Sequence, residues 1–451
     1  MSRFVTLSRR HALALLGVGV GGGGLLWHTR AGPEGDLGPE TRPAATDAHL
    51  EELIRGNTAF ATSLLRQFAD DEPNANVLFS PVSIAAALAM ARAGAREETA
   101  NQLTETLEFP PEEDLHPAVG ALLYDLNERA ENAATPGVVD RIRGGREFEL
   151  FVATALWGQD GYPYREEFLE TLESNYRTGL RNVDFVGDHD GARGEVNEWV
   201  EEATDGRIDE LLPAESVTED TRLVVTNAVA LFADWAEAFD PDDTRERTFT
   251  ALDGSTDEVQ MMSQTEDFPY AHGEDYQAIE LPYVGEDVSM VIVVPRPSEA
   301  APDADGTREA FESFEADLDA DRIAGIFDAL EKREAMIQLP RFEFDVEFEL
   351  AAVLGDLGMP DPFDPERANF EGVAPTEAGS DDLFLFDVYH EAYVSVNEEG
   401  TEAIAATGFS GGLESGPLTV TADRPFLFFV RDRPTDAILF LGRVVDAESA
   451  Q

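Results

Sequence analysis

Apolar positions recur along the chain with two different periods. Leu50, Leu53, Ile54, Phe60, Ala61, Leu64, Leu65 and Phe68 fall on one helical face. A short apolar run, Asn76 to Phe79, stops at Ser80-Pro81. Ser80 suits a helix cap and Pro81 the first helical position. Ile84 to Ala93 is nearly all apolar and predicts a buried helix ended by Gly94. Phe148 to Trp157 reads as a strand, Phe168 to Tyr176 as a helix. Val196, Trp199, Val200 and Ala203 form a second helical stripe. Leu223 to Phe232 is rich in valine and predicts a buried central strand. Strands are also expected at Val288 to Val294, at Ala335 to Leu339 and Phe342 to Phe348 around Pro340, and at Phe384 to Val396. Phe426 to Val430 and Ala437 to Val445 close the chain as strands. Helices lead and strands come after them, with no internal repeat, which predicts one mixed α+β domain from about Thr46.

Composition changes this picture in two ways. At 451 residues and 43% hydrophobic the chain can bury a large core. With no cysteine it can form neither a disulfide nor a thiolate metal site. The seven histidines are scattered, none at metal-ligand spacing, so no metal or cofactor is expected. The net charge is −59, and arginine outnumbers lysine 31 to 1, the lysine being Lys332. Nucleic-acid binding needs a basic face, so a polyanion partner is excluded. The acidic residues are spread along the whole length and predict adaptation to concentrated salt, which screens charges over roughly 3 Å at 1 M.

The N-terminus has its own pattern. Ser8-Arg9-Arg10 precedes a Gly-rich apolar run from Ala12 to Trp27. This predicts an export signal of the twin-arginine type over residues 1–30, with an extracellular or cell-surface destination. The run is too short and too weakly hydrophobic for a stable membrane span. Residues 31–45, rich in Pro and Gly, read as a linker.

Ordered blocks resemble the serpin family of serine-protease inhibitors. They are Asn76 to Ile84; Gly94-Ala95 with Thr99; Asn197, Trp199, Val200, Thr204 and Ile208; Thr226-Asn227-Ala228 with Trp235 and Phe239; Leu339 to Phe342; Leu354 to Met359; His390 through Gly400 to Ala403; Asp423 to Phe428; and Leu439 to Val444. Together they span residues 46–447. The resemblance implies three β-sheets, eight or nine helices and a long exposed reactive loop over about residues 400–424. It implies that a protease cleaves this loop, which then inserts as a strand into the central sheet and drags the acylated protease along. The expected partner is a serine protease, with cysteine proteases open to the same trap, met by a monomer. The resemblance also places Ser80, Ser83, Asn227 and His390 in a buried polar cluster controlling the sheet. It places Trp235 where the loop first enters.

The loop residues fit this use physically. Thr401 to Ala406 are mostly small, and Gly408, Gly411, Gly412 and Gly416 punctuate the remainder of the loop. In a strand Thr401, Ala403, Ala405, Thr407 and Phe409 share one face, with Glu402 and Ile404 on the other. Gly400, Thr401, Glu402, Ala403, Ala405 and Ala406 therefore form the candidate hinge. By the family's spacing the cleaved bond lies about fourteen residues beyond Gly400 and about eleven before Pro425. Both counts reach Glu414, giving Glu414–Ser415; a one-residue shift makes Leu413 the specificity residue. Glu414 suits a protease with a basic pocket, Leu413 a subtilisin-like or chymotrypsin-like one.

Two other readings remain. Gly408-Phe409-Ser410-Gly411-Gly412 matches a hydrolase nucleophile elbow, but no apolar strand precedes it and no histidine lies beyond His390. The chain is therefore not expected to be an enzyme. The acidic stretches at Asp188 and Asp303 fail calcium-loop spacing. The other open reading is a serpin-fold binding or storage protein that does not inhibit. Ile404 in the hinge and the glycines after it favour that alternative.

Overall fold

The computed structural model describes residue 39 and residues 41–133, 148–176, 180–204, 206–297, 304–375, 383–400 and 418–450. Among them are nine α-helices and fourteen strands. The helices are α1 (Asp47–Asp71), α2 (Pro81–Gly94), α3 (Glu97–Thr106), α4 (Glu112–Ala133), α5 (Glu166–Asn175), α6 (His189–Ala203), α7 (Ala304–Ala316), α8 (Ala320–Asp328) and α9 (Ala351–Asp356). Thr46 caps α1 by accepting the His49 N–H. Just before it, Arg42 makes a two-pronged pair with Asp125 on α4, at 2.7 and 2.9 Å, tying the end of the Pro/Gly-rich stretch to the domain.

A five-stranded sheet runs β10 (Phe342–Glu349), β11 (Val388–Val396), β4 (Leu223–Ala233), β2 (Phe148–Gln159), β3 (Leu180–Val183). The other strands form one nine-stranded network. Its path is β1 (Val77–Phe79), β14 (Ala437–Val444), β13 (Phe426–Asp432), β8 (Val288–Pro295), β7 (Tyr276–Pro282), β6 (Thr256–His272), β9 (Glu331–Pro340), β12 (Leu418–Thr421). The ninth strand, β5 (Arg245–Thr250), also pairs with β6. The network divides at β6, a strand of 17 residues. Its last part pairs with β7 and its middle with β9, so two of the three expected sheets are continuous through one strand.

Helix α2 lies at the centre and touches β2 and β4 of one sheet and β14 of the other. It is buried at every position except Arg92, as its unbroken apolar run requires. Ser80 caps it, accepting the Ser83 N–H, and Pro81 opens it. At its end a Cβ on Gly94 would come within 2.1 Å of Val373 Cγ2, so only glycine lets that turn pack. Helix α6 covers the opposite face of the five-stranded sheet, where Val196, Trp199 and Val200 meet Trp157, Val224, Ala228 and Tyr389.

One expected strand is shorter than its alternation suggested. Phe384 to Asp387 precede β11 without joining it, because Asp387 turns its carboxylate onto the N–H groups of Ala351 and Val388 and ends the ladder. The candidate hinge residues Thr401, Glu402, Ala403, Ala405 and Ala406, and Leu413, Glu414 and Ser415, lie outside the described residues.

Candidate functional site: a sheet seam and its hinge

Strands β4 and β11 are parallel neighbours at the middle of the five-stranded sheet. Their ladder runs from Val225↔Val388 to Ala230↔Tyr393 and no further. Beyond it, β11 still pairs with β10 as far as Val396, and β4 still pairs with β2 as far as Ala233. Among the described residues, the seam is thus closed over six positions and unpaired between the two strands at the end nearer Gly400. Two parallel strands with facing unpaired edges are the arrangement into which an antiparallel strand can add.

The closed part sits on the buried polar cluster that the resemblance implied. Asn227 and His390 are register partners across the seam. Strand alternation turns both toward α2. The backbone N–H of Ser80 donates to His390 Nε2 at 3.1 Å, so that nitrogen carries the lone pair. The proton therefore sits on Nδ1 and is donated to Asn227 Oδ1 at 2.6 Å. Asn227 Nδ2 donates to Ser83 Oγ and to Thr154 Oγ1, both at 2.6 Å, and those hydroxyls are 3.0 Å apart. Burial pushes His390 down to about 3, only partly offset by Asn227, so the ring is neutral near pH 7. Phe348 stacks on it with planes 3° apart. Every polar group of this cluster has a partner, as a stable buried network requires. Thr154 is a member that sequence reading missed; a single threonine in an apolar run reads as an ordinary strand residue.

The open end holds Gly400, the first residue of the candidate hinge. Gly400 forms an antiparallel bridge with Asp234. Its φ is +147°, and a Cβ there would lie 2.2 Å from the Ala233 carbonyl oxygen and 2.4 Å from Asp234 Cα. Glycine is required on both counts. Trp235 lies beside it, 1% exposed and stacked on Tyr283 at 4.6 Å. Its indole donates to the Asn397 carbonyl at 3.0 Å and its backbone N–H to Glu399 O at 2.9 Å. The Phe239 N–H donates to Glu398 O at 2.7 Å. Segment 397–400 is therefore stitched to the turn after β4.

Glu398 is a second residue the sequence did not single out. It is 4% exposed, and Arg341 donates to Oε1 from Nε at 2.9 Å and from Nη2 at 2.5 Å, with Thr244 Oγ1 on the same oxygen. Burial works to raise this carboxyl, but the bonds from Arg341 and Thr244 outweigh it and hold it below its ordinary value. The pair fastens segment 397–400 to Arg341, between β9 and β10. Among the described residues no group of carboxylates and histidines could hold a metal, and no helix is long and apolar enough to cross a membrane.

Comparison with known proteins agrees with this architecture. A serpin-like protein of Thermococcus kodakarensis is 37% identical over 87% of this chain and 85% of its own. Leukocyte elastase inhibitor A of Mus musculus is 34% identical over 88% of this chain and 99% of its own. The crystal structure of uncleaved ovalbumin superposes with a TM-score of 0.72 at 25% identity, covering 88% of this chain and all of that one. The family described as Serpin (serine protease inhibitor) matches residues 55–447, and the chain belongs to it.

Proposed function

We propose that this serpin inhibits serine proteases as a suicide substrate, using residues 400–424 as bait and Glu414–Ser415 as the cleaved bond. The observation that carries the reading is the half-open seam between β4 and β11, with Gly400 bridged to Asp234 at its open end. A strand running back from Gly400 meets that opening in antiparallel sense. The small residues Thr401, Ala403 and Ala405 suit entry between existing strands. Asn227, His390, Ser80, Ser83 and Thr154 hold the rest of the seam until the entering strand displaces their cross-seam contacts. Trp235 and Gly400 mark the entry point. The specificity residue is Glu414, or Leu413 if the register shifts by one. An inhibitor among the relatives, leukocyte elastase inhibitor A, supports the reading. The N-terminal arginine pair and apolar run support export and an extracellular or surface target.

The test mixes the purified chain with a Glu-specific protease and with a subtilisin in high salt. The expected product is a complex that survives denaturant, with release of a C-terminal fragment beginning at Ser415. A fragment beginning at Glu414 moves specificity to Leu413. The glycines from Gly408 to Gly416 favour a second reading, a non-inhibitory binding or storage serpin, because a slack loop is drawn in slowly and leaves the acylated protease time to hydrolyse its bond to the loop and escape. Clean cleavage without complex selects that second reading.

A further inference from the structure

Glu347 on β10 and Glu391 on β11 are direct register partners of an antiparallel pair, so their carboxyls share one face. That face is opposite to His390. It is the face of Tyr389, which packs under α6 and the segment 206–222 and donates its hydroxyl to the Ser216 carbonyl at 3.2 Å. Segment 206–222 crosses the seam: Ile208, Leu211, Leu212 and Val217 pack with Val224 and Ala228 of β4 as well as with Tyr389 of β11. That crossing lies over the paired part of the seam.

The groups around the two carboxyls are largely acidic. β10 contributes Asp345 and Glu349 beside Glu347, and Glu343, which accepts from the Tyr393 hydroxyl of β11 at 2.8 Å. The covering segment contributes Asp209, which acts on Glu391, and Glu210, which acts on Glu347. Glu210 is paired with Arg193 of α6 at 3.1 Å, and Arg207 lies on the same segment. β4 offers only Ala228 opposite Glu391. Burial first, then Glu347 and Asp345 among the neighbours, pushes Glu391 up to about 8; burial and Glu349 push Glu347 up to about 7.

We infer that the Glu347–Glu391 pair is a proton-operated latch on segment 206–222, which holds the segment down when the pair shares a proton and releases it when both carboxyls ionise. Two facing carboxylates beneath Asp209 repel one another and the segment above them. A single proton removes one charge and lets the pair hydrogen-bond. The consequence for trapping rests on the inhibitory reading, since loop entry would be easier above neutral pH. The latch itself does not, and it can be read without any protease.

The experiment is hydrogen–deuterium exchange of the full chain in high salt between pH 6 and 9, corrected for the intrinsic exchange rate and followed on peptides from 206–222. The opening constant of this segment is expected to rise about tenfold over that range. It should stay flat in Glu391→Gln, while exchange of α2 is unchanged. Glu347→Gln, farther from the seam, should flatten the same response and serves if Glu391→Gln fails to fold. An equal pH response in a folded variant, or none in the wild type, overturns the latch.

Discussion

His390 illustrates how one side chain sets a pH dependence. Folded, it is neutral down to about 3; unfolded, it takes a proton near 6.5. Between those values the unfolded chain binds a proton that the folded one refuses. The stability present above pH 6.5 is therefore lost as pH falls toward 3, with a slope approaching 1.4 kcal/mol per unit, about one proton's worth. Urea titrations of wild type and His390→Gln should differ by this slope, and parallel curves would contradict the assignment. Thr154→Val takes away one of the two acceptors of the Asn227 amide and should cost about 1–3 kcal/mol. A loss below the scatter of the same titrations would mean the network tolerates its absence. Gly400→Ala places a Cβ on the Ala233 carbonyl and in a backbone region unsuited to it, at a cost of about 1–3 kcal/mol.

At the level of elements, segment 397–400 is held by the turn after β4 and by Arg341. Glu398→Gln removes the charge that Arg341 and Thr244 hold, and should loosen segment 397–400 while leaving α2 intact. Exchange of the backbone N–H groups of Trp235 and Phe239 reads this directly, because their acceptors are the Glu399 and Glu398 carbonyls. Unchanged protection of both would sink the fastening role. The elements of the seam were largely legible. The valine-rich run became β4, and Ser80-Pro81 became the start of α2 as read. Others escaped. α3 and α4 are acidic, and α4 contains Pro117 and Gly120, so their apolar stripes are diluted. Glu398 could not stand out among 91 acidic residues; only its burial against Arg341 distinguishes it. The four polar residues under the seam were found through resemblance, whereas Thr154 needed the register of β2 against β4.

For the whole molecule, the charge and the seam each set a measurable quantity. A net charge of −59 should make the fold dependent on salt. We expect the denaturation midpoint to rise steeply as KCl is raised toward 1 M, where screening shortens repulsion to roughly 3 Å. Full stability at low ionic strength would contradict salt adaptation. Among the described residues, β4 and β11 pair over part of their length only. Strand entry would add a run of backbone hydrogen bonds, each with a net value of about 1 kcal/mol. At about 1 °C per kcal/mol for a domain of this length, about ten of them raise the melting temperature by about 10 °C. The most direct measurement is therefore the melting temperature, in high salt, before and after cutting the loop near Glu414. A sharp rise is the result predicted for a loop that enters between β4 and β11. An unchanged midpoint after complete cleavage would contradict insertion, and with it the trapping mechanism.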